Sequence, residues 1–171
     1  VNLSLFARHG DRVDLANTKL GKVTTINPNV TLNLGVSTTL SINHNYEKLS
    51  RDGGDVYVAN LTDLRLSYQF NLRQRLRLAV LRNDLKLDST LFNPGDYPTG
   101  VPTHQRNIDT QLIYSYKINP RTALYAGYAD NYFGGDVETM FSTPGNPDYD
   151  YFPVFQSNRA VFLKIGYAWE K

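Results

Sequence analysis

Three histidines, His9, His44 and His104, are the side chains whose ordinary proton affinity suits acid–base work near neutral pH. Ser41, Asn43 and His44 place a hydroxyl, an amide and an imidazole within four positions, the residue types of nucleophilic acyl transfer. In an extended chain, residues three apart face opposite sides, so Ser41 and His44 cannot meet locally. His44 therefore reads as an interfacial histidine, and His9-Gly10-Asp11 reads as a strand end and turn, not a dyad. Asp52-Gly53-Gly54-Asp55 and Asp148-Tyr149-Asp150 gather carboxylates that suit calcium, but neither has the ligand spacing of a helix–loop–helix calcium site, and turn chemistry accounts for both. There is no Cys, no phosphate-cradling glycine loop, no zinc spacing and no basic–aromatic nucleic-acid motif. The expectation is a protein that is not an enzyme, with no catalytic residue, cofactor or metal. Aromatics crowd one segment (Tyr132, Phe133, Phe141, Tyr149, Tyr151, Phe152, Phe155) and read as a self-packing lid, with stacking on sugars as the alternative.

These residues need elements to position them, and bulk composition does not reveal which. The 171 residues suit one domain, 1–171; 41% are apolar, 20% are charged and the net charge is +2, too weak to suggest nucleic acid. Mean hydropathy is −0.41. A soluble protein and a membrane β-barrel look alike at this level, because each barrel strand spends alternate residues on a polar interior. Twelve Tyr and eight Phe stand against one Met and one Trp, which suits a surface half apolar and half wet. Val1 opens directly into an alternating segment, as a chain cut in mid-structure would. No run of about 18 apolar residues occurs, which excludes a transmembrane helix.

Order decides. From Asn29 to Glu47, Val30, Leu32, Leu34, Val36, Leu40 and Ile42 alternate with Asn33, Gly35, Ser37, Thr39, Ser41 and Asn43. This is period two at lengths suited to membrane strands rather than soluble ones. Alternation recurs from Val56 to Phe70, Gln74 to Arg82, Arg106 to Tyr116, Thr122 to Asp130 and Val161 to Trp169. With Val1–His9 and a weaker Leu20–Ile26, about eight strands are expected. Asn27-Pro28-Asn29, Asn71-Leu72-Arg73 and Ile118-Asn119-Pro120-Arg121 read as tight turns. Longer links are expected near 9–19, 48–55, 84–105 and 131–158. Short turns at one rim and long loops at the other predict an all-β, transmembrane, antiparallel up-and-down β-barrel. Tyr68, Phe70, Tyr114, Tyr116, Tyr167 and Trp169 would form an aromatic girdle at the short-turn rim, with Tyr46, Tyr128 and Tyr132 near the opposite one.

The last strand, Phe162-Leu163-Lys164-Ile165-Gly166-Tyr167-Ala168-Trp169, resembles the signal read by the outer-membrane assembly machinery; Lys164, Gly166 and Trp169 match it, whereas Glu170 and Lys171 depart from it. The chain also resembles the C-terminal barrel of a family of large bacterial proteins of unknown function, whose N-terminal part is similar to a family-nine carbohydrate-binding module. The likeness lies in 10–17 (Gly10-Asp11-Arg12-Val13-Asp14-Leu15-Ala16-Asn17), Asn45-Tyr46-Glu47, Tyr57-Val58-Ala59-Asn60, Leu64 to Phe70, Tyr114 to Pro120 and Leu124 to Tyr128. It implies an outer-membrane location and a barrel larger than this chain, and carries over no catalytic residue.

The inward face would hold Arg8, Arg65, Arg75, Arg77 and Lys164 against Asp63 and Asp109. Unpaired charges and small residues fill a narrow barrel poorly, so a wider wet lumen, further strands or an acidic plug is expected. Loop acids such as Glu47 or Asp88 folding inward are the alternative. The expected function is a pore, transport component or partner anchor in the bacterial outer membrane, with a periplasmic C-terminus. Outer-membrane lipid, the assembly machinery and additional strands, a plug or a partner protein are the expected partners, and nucleic acid is not. A membrane enzyme acting on lipid or glycan and a soluble β-sandwich carbohydrate binder are the alternative classes.

Overall fold

The computed structural model describes residues 1–51, 53–92, 102–135 and 154–168. Eight strands follow in chain order: β1 (Asn2–Asp14), β2 (Lys19–Leu34), β3 (Thr38–Arg51), β4 (Gly54–Asn71), β5 (Gln74–Leu87), β6 (His104–Asn119), β7 (Thr122–Gly135) and β8 (Phe155–Tyr167). A single 3-10 turn, Ser89–Leu91, interrupts the β5–β6 link. All eight strands form one antiparallel sheet in sequence order. No helix among the described residues is long and apolar enough to cross a membrane, which says nothing of crossing by strands.

The up-and-down all-β architecture and the eight strands follow the alternation, but three expectations need correction. The segment from Asn29 to Glu47 is not one strand: the chain turns at Gly35, whose positive φ of 64° suits glycine, and Leu34 pairs with Thr38. Asn27-Pro28-Asn29 is not a turn but lies inside β2. Pro28 has no N–H to give, and the β2–β3 pairing lapses at 27–28 before resuming in the same register at Asn29. The links expected near 9–19 and 48–55 are short, because β1 runs on to Asp14 and β3 to Arg51. His9 therefore lies within a strand. Long links remain only between β5 and β6 and between β7 and β8.

Two short turns share one chemistry. Asn71 Oδ1 accepts from Arg73 N at 2.8 Å, and Asn119 Oδ1 accepts from Arg121 N at 2.9 Å. Each Asn side chain mimics a backbone turn and closes its hairpin. The barrel closure expected from the sequence is not seen: β1 and β8 are the free edges of an open sheet.

Register carries one face across the sheet. Ser41 opposes Thr31 and Arg65, Arg65 opposes Ala79, and Ala79 opposes Gln111. The other face joins Leu40, Leu66, Leu78, Leu112 and Tyr128 in one row. The sheet thus has a polar and an apolar face, and its one buried apolar cluster among the described residues sits at an end of the polar face. There Val23, Leu49 and Val56 pack together, covered by Tyr57, Leu91 and Phe92.

Candidate functional site

Pairing places all seven expected interior charges on the polar face. Arg8 opposes Thr25, Asp63 opposes Asn43, Arg65 opposes Ser41, Arg75 opposes Gln69, Arg77 opposes Ser67, Asp109 opposes Leu81 and Lys164 opposes Tyr125. The face changes character along the strands.

At the short-turn end it is basic. Arg65, Arg75, Arg77 and Lys164 share it with Lys117, whose pairing with Ala123 puts it on the same side and which the sequence reading overlooked. Two open troughs of about 710 and 580 Å³ run through this region. The first is lined by Gln69, Arg73, Arg75, Lys117, Arg121 and Tyr125, the second by Asp63, Arg65, Arg75, Arg77 and Gln111 among others. Asp63 binds Arg65 at 2.8 Å, an exposed pair worth little. Among the described residues Arg75, Arg77, Lys117 and Lys164 have no carboxylate partner. Cations without a carboxylate partner are costly to bury and are tolerated where water or a mobile anion screens them.

The middle of the face is a belt of amides and acids. Asn29 donates to Asn43; Asn131 donates to Asp109 at 2.5 Å and to Asn107 at 2.7 Å; Asn107 donates to Asp109 at 3.1 Å. Asp109 is thereby held by amides rather than by the basic residues.

At the opposite end of β1–β4, paired charges sit beside the packed apolar cluster. Arg51 and Asp14 meet at 2.9 Å with side chains only 3% and 5% exposed, and Arg51 also donates to the Leu91 carbonyl at 2.6 Å. Asp14 accepts in addition from Asn17 at 2.8 Å. Glu47 binds Arg12 at 2.6 Å and accepts from the Tyr57 hydroxyl at 2.6 Å. Of the two acids named as fold-in candidates, Glu47 does face this side, from β3 rather than a loop. Asp88 instead caps the 3-10 turn by accepting from Thr90 N at 3.0 Å.

The girdle residues share the apolar face. Tyr68 opposes Leu76 and Leu76 opposes Tyr114; Tyr116 opposes Leu124; Tyr167 opposes Thr122. Phe70 meets Tyr68 edge-on with ring centroids 4.7 Å apart, and Tyr114 at 6.5 Å. Trp169 lies outside the described residues, as do Asp52, Asp148 and Asp150 and most of the aromatic segment expected to form a lid.

None of the hydrolase combinations assembles. Ser41 is on the polar face and His44 on the other, where His44 Nδ1 lies 2.9 Å from Thr62 Oγ1. His9 Nδ1 lies 2.9 Å from Thr24 Oγ1, and His104 Nε2 lies 3.0 Å from Asp84 Oδ1. Asp55 binds Lys48 at 2.7 Å. No group of three His, Cys, Asp or Glu side chains able to hold a metal occurs among the described residues.

No family model, curated protein or solved structure matches this chain. What the arrangement can do rests on its own chemistry: an unneutralised basic trough on one face of a sheet whose other face is greasy.

Proposed function

We propose that the chain is part of a β-barrel of a bacterial outer membrane, and that its basic polar face lines a wet passage for anionic solutes. The observation that carries this reading is the division of the sheet. Long strands put Leu, Ile, Val and aromatic residues on one side and cations without carboxylate partners on the other. Lipid against the first face and water against the second satisfy both. The free edges of β1 and β8 then close with each other or with further strands, and the small side chains of the polar face (Thr31, Asn33, Thr39, Ser41) favour a wide ring. The sequence resemblance to the C-terminal region of a family of large bacterial proteins of unknown function, which implies such a barrel, agrees with the same reading.

In this reading the turns at 72–73 and 120–121 face the periplasm, and the C-terminal end of β8, which pairs beside Thr122, lies with them. The basic trough suits an acidic plug or partner segment as well as a solute, because both present carboxylates or phosphates to the same four cations. Conductance across a planar lipid bilayer under a salt gradient tests the passage. A reversal potential showing preference for chloride over potassium is expected. A chain that inserts yet never conducts would leave the anchor role and remove the passage.

A further inference from the structure

The apolar face does not stay apolar along the whole strand length. Beyond the row Ile42, Leu64 and Val80, the next rows read His44, Thr62 and Arg82, then Tyr46, Asn60, Asp84 and Arg106, then Lys48, Val58, Lys86 and His104. One row is two residues, about 7 Å along a strand. Cations therefore begin one step from the last aliphatic row, at the end away from the short turns.

Asp84 organises this patch. It is only 5% exposed although it lies on the outward face, and it accepts from Arg106 Nε at 2.7 Å, Arg82 Nη2 at 3.2 Å and meets His104 Nε2 at 3.0 Å. One carboxylate holds three cationic or titratable groups, Arg82, Arg106 and His104, and Lys86 stands one row beyond it. Lys86 is exposed and makes no ion pair among the described residues. Between them lies a recess of about 320 Å³ lined by His44, Thr62, Arg82, Asp84, Lys86 and Arg106. That is roughly ten water molecules' share of liquid. Guanidinium groups held in place match the oxygens of a phosphate bidentately, and a lysine adds a point charge.

We propose that this recess binds the phosphate of a lipid headgroup in the outer leaflet, with the acyl chains running down the Leu64, Leu66 and Leu78 rows. The inference rests on the membrane reading above and specifies which lipid the surface selects. Its position decides for a lipid over a soluble phosphate: the cations adjoin the apolar rows, on the face opposite the basic trough.

The test uses the whole chain, refolded into detergent micelles and then offered lipids in native mass spectrometry. Preferential retention of diphosphoryl lipid A, at least tenfold over its dephosphorylated form, is expected. The Arg82→Gln/Lys86→Gln double variant should lose about tenfold in retention, while Arg75→Gln/Arg77→Gln on the opposite face should retain the lipid like the parent. Both pairs leave Asp84 with Arg106 and His104, so folding is checked by circular dichroism rather than assumed. Equal retention of both lipids by a chain properly held in micelles would overturn the site alone. Displacement of lipid A by millimolar inorganic phosphate would overturn the choice of a lipid. A chain that remains monodisperse in detergent-free buffer would overturn both the site and the membrane reading.

Discussion

Leu78→Arg is the sharpest perturbation of the apolar face. Leu78 lies between Leu66 and Leu112, and the nearest outward polar residues along β5 are Gln74 and Arg82, four positions away on either side. On the proposed membrane reading, at ~3.3 Å per residue and a tilt of ~40°, each would lie about 10 Å away along the membrane normal, so Leu78 would sit near mid-bilayer. A cation there costs about 2–4 kcal/mol, and about 0–1 kcal/mol at the margin. The folding equilibrium in lipid vesicles should fall about 30- to 1000-fold for Leu78→Arg, and less than about tenfold for Thr62→Arg, two rows nearer the edge. Urea titrations of vesicle-folded protein measure this, read by circular dichroism and by the emission of the lone Trp169. Arg77→Leu provides the control, since its side chain is on the other face, opposite Ser67. Equal losses for Leu78→Arg and Thr62→Arg would refute the reasoning, because a bilayer grades the penalty with depth.

Charge reversal of the trough, Arg75→Glu with Arg77→Glu, should turn the preference of the conductance from anion to cation, measured as a change in sign of the reversal potential. Arg51→Met should destabilise by about 3–5 kcal/mol in urea titration, because Asp14 is left charged and buried; Asp14→Leu with Arg51→Met should recover most of that loss. Gly127→Ala should cost about 1 kcal/mol or less, since a Cβ at Gly127 would meet only the far end of the half-exposed Phe162 ring, which can swing aside, and Phe162→Leu should remove the cost in the same assay.

Alternation made the faces legible but hid the turns. In β2 and β3, Val30 opposes Ile42 and Leu34 opposes Thr38. Partners differ by an even number, so even-numbered side chains keep one face on both arms and the pattern runs through the hairpin unbroken. Only Gly35 betrays the reversal, whereas Pro28, a stronger turn signal, sits in mid-strand at a lapse in the pairing. The ends of β1 and β3 were illegible for a different reason. Past the apolar band both faces meet polar groups, as with Arg12 beside Asp14 and Lys48 beside Asp55, so strand and loop look alike in sequence. Arg65, Arg75, Arg77 and Lys164 were legible because they alternate with apolar residues, whereas Lys117, Arg73 and Arg121 lie at or near turns where the alternation ends. The Asp84 cluster was not, because the β5 pattern stops signalling at Arg82 and its partners Arg106 and His104 come from a strand about 20 positions later.

The two ends of the polar face treat charge in opposite ways, and this bears on direction. At the end away from the turns at 72–73 and 120–121, among the described residues, buried Asp14 is matched by Arg51, and half-buried Glu47 by Arg12 and Tyr57. Matching is required for Asp14 and Arg51, whose side chains are almost wholly buried. At the short-turn end Arg77, Lys117 and Lys164 are exposed, and no apolar cluster covers them. Water tolerates unmatched charge, so the positive potential survives only at that end. In the proposed passage, an anion entering from the turns at 72–73 and 120–121 would meet the unpaired cations first; one from the other end would meet the matched charge pairs first. Anion current should therefore be larger when driven from the short-turn side than from the other. Equal currents in both directions, with the orientation of insertion fixed by protease accessibility, would show that the matched pairs and the trough do not lie on one path.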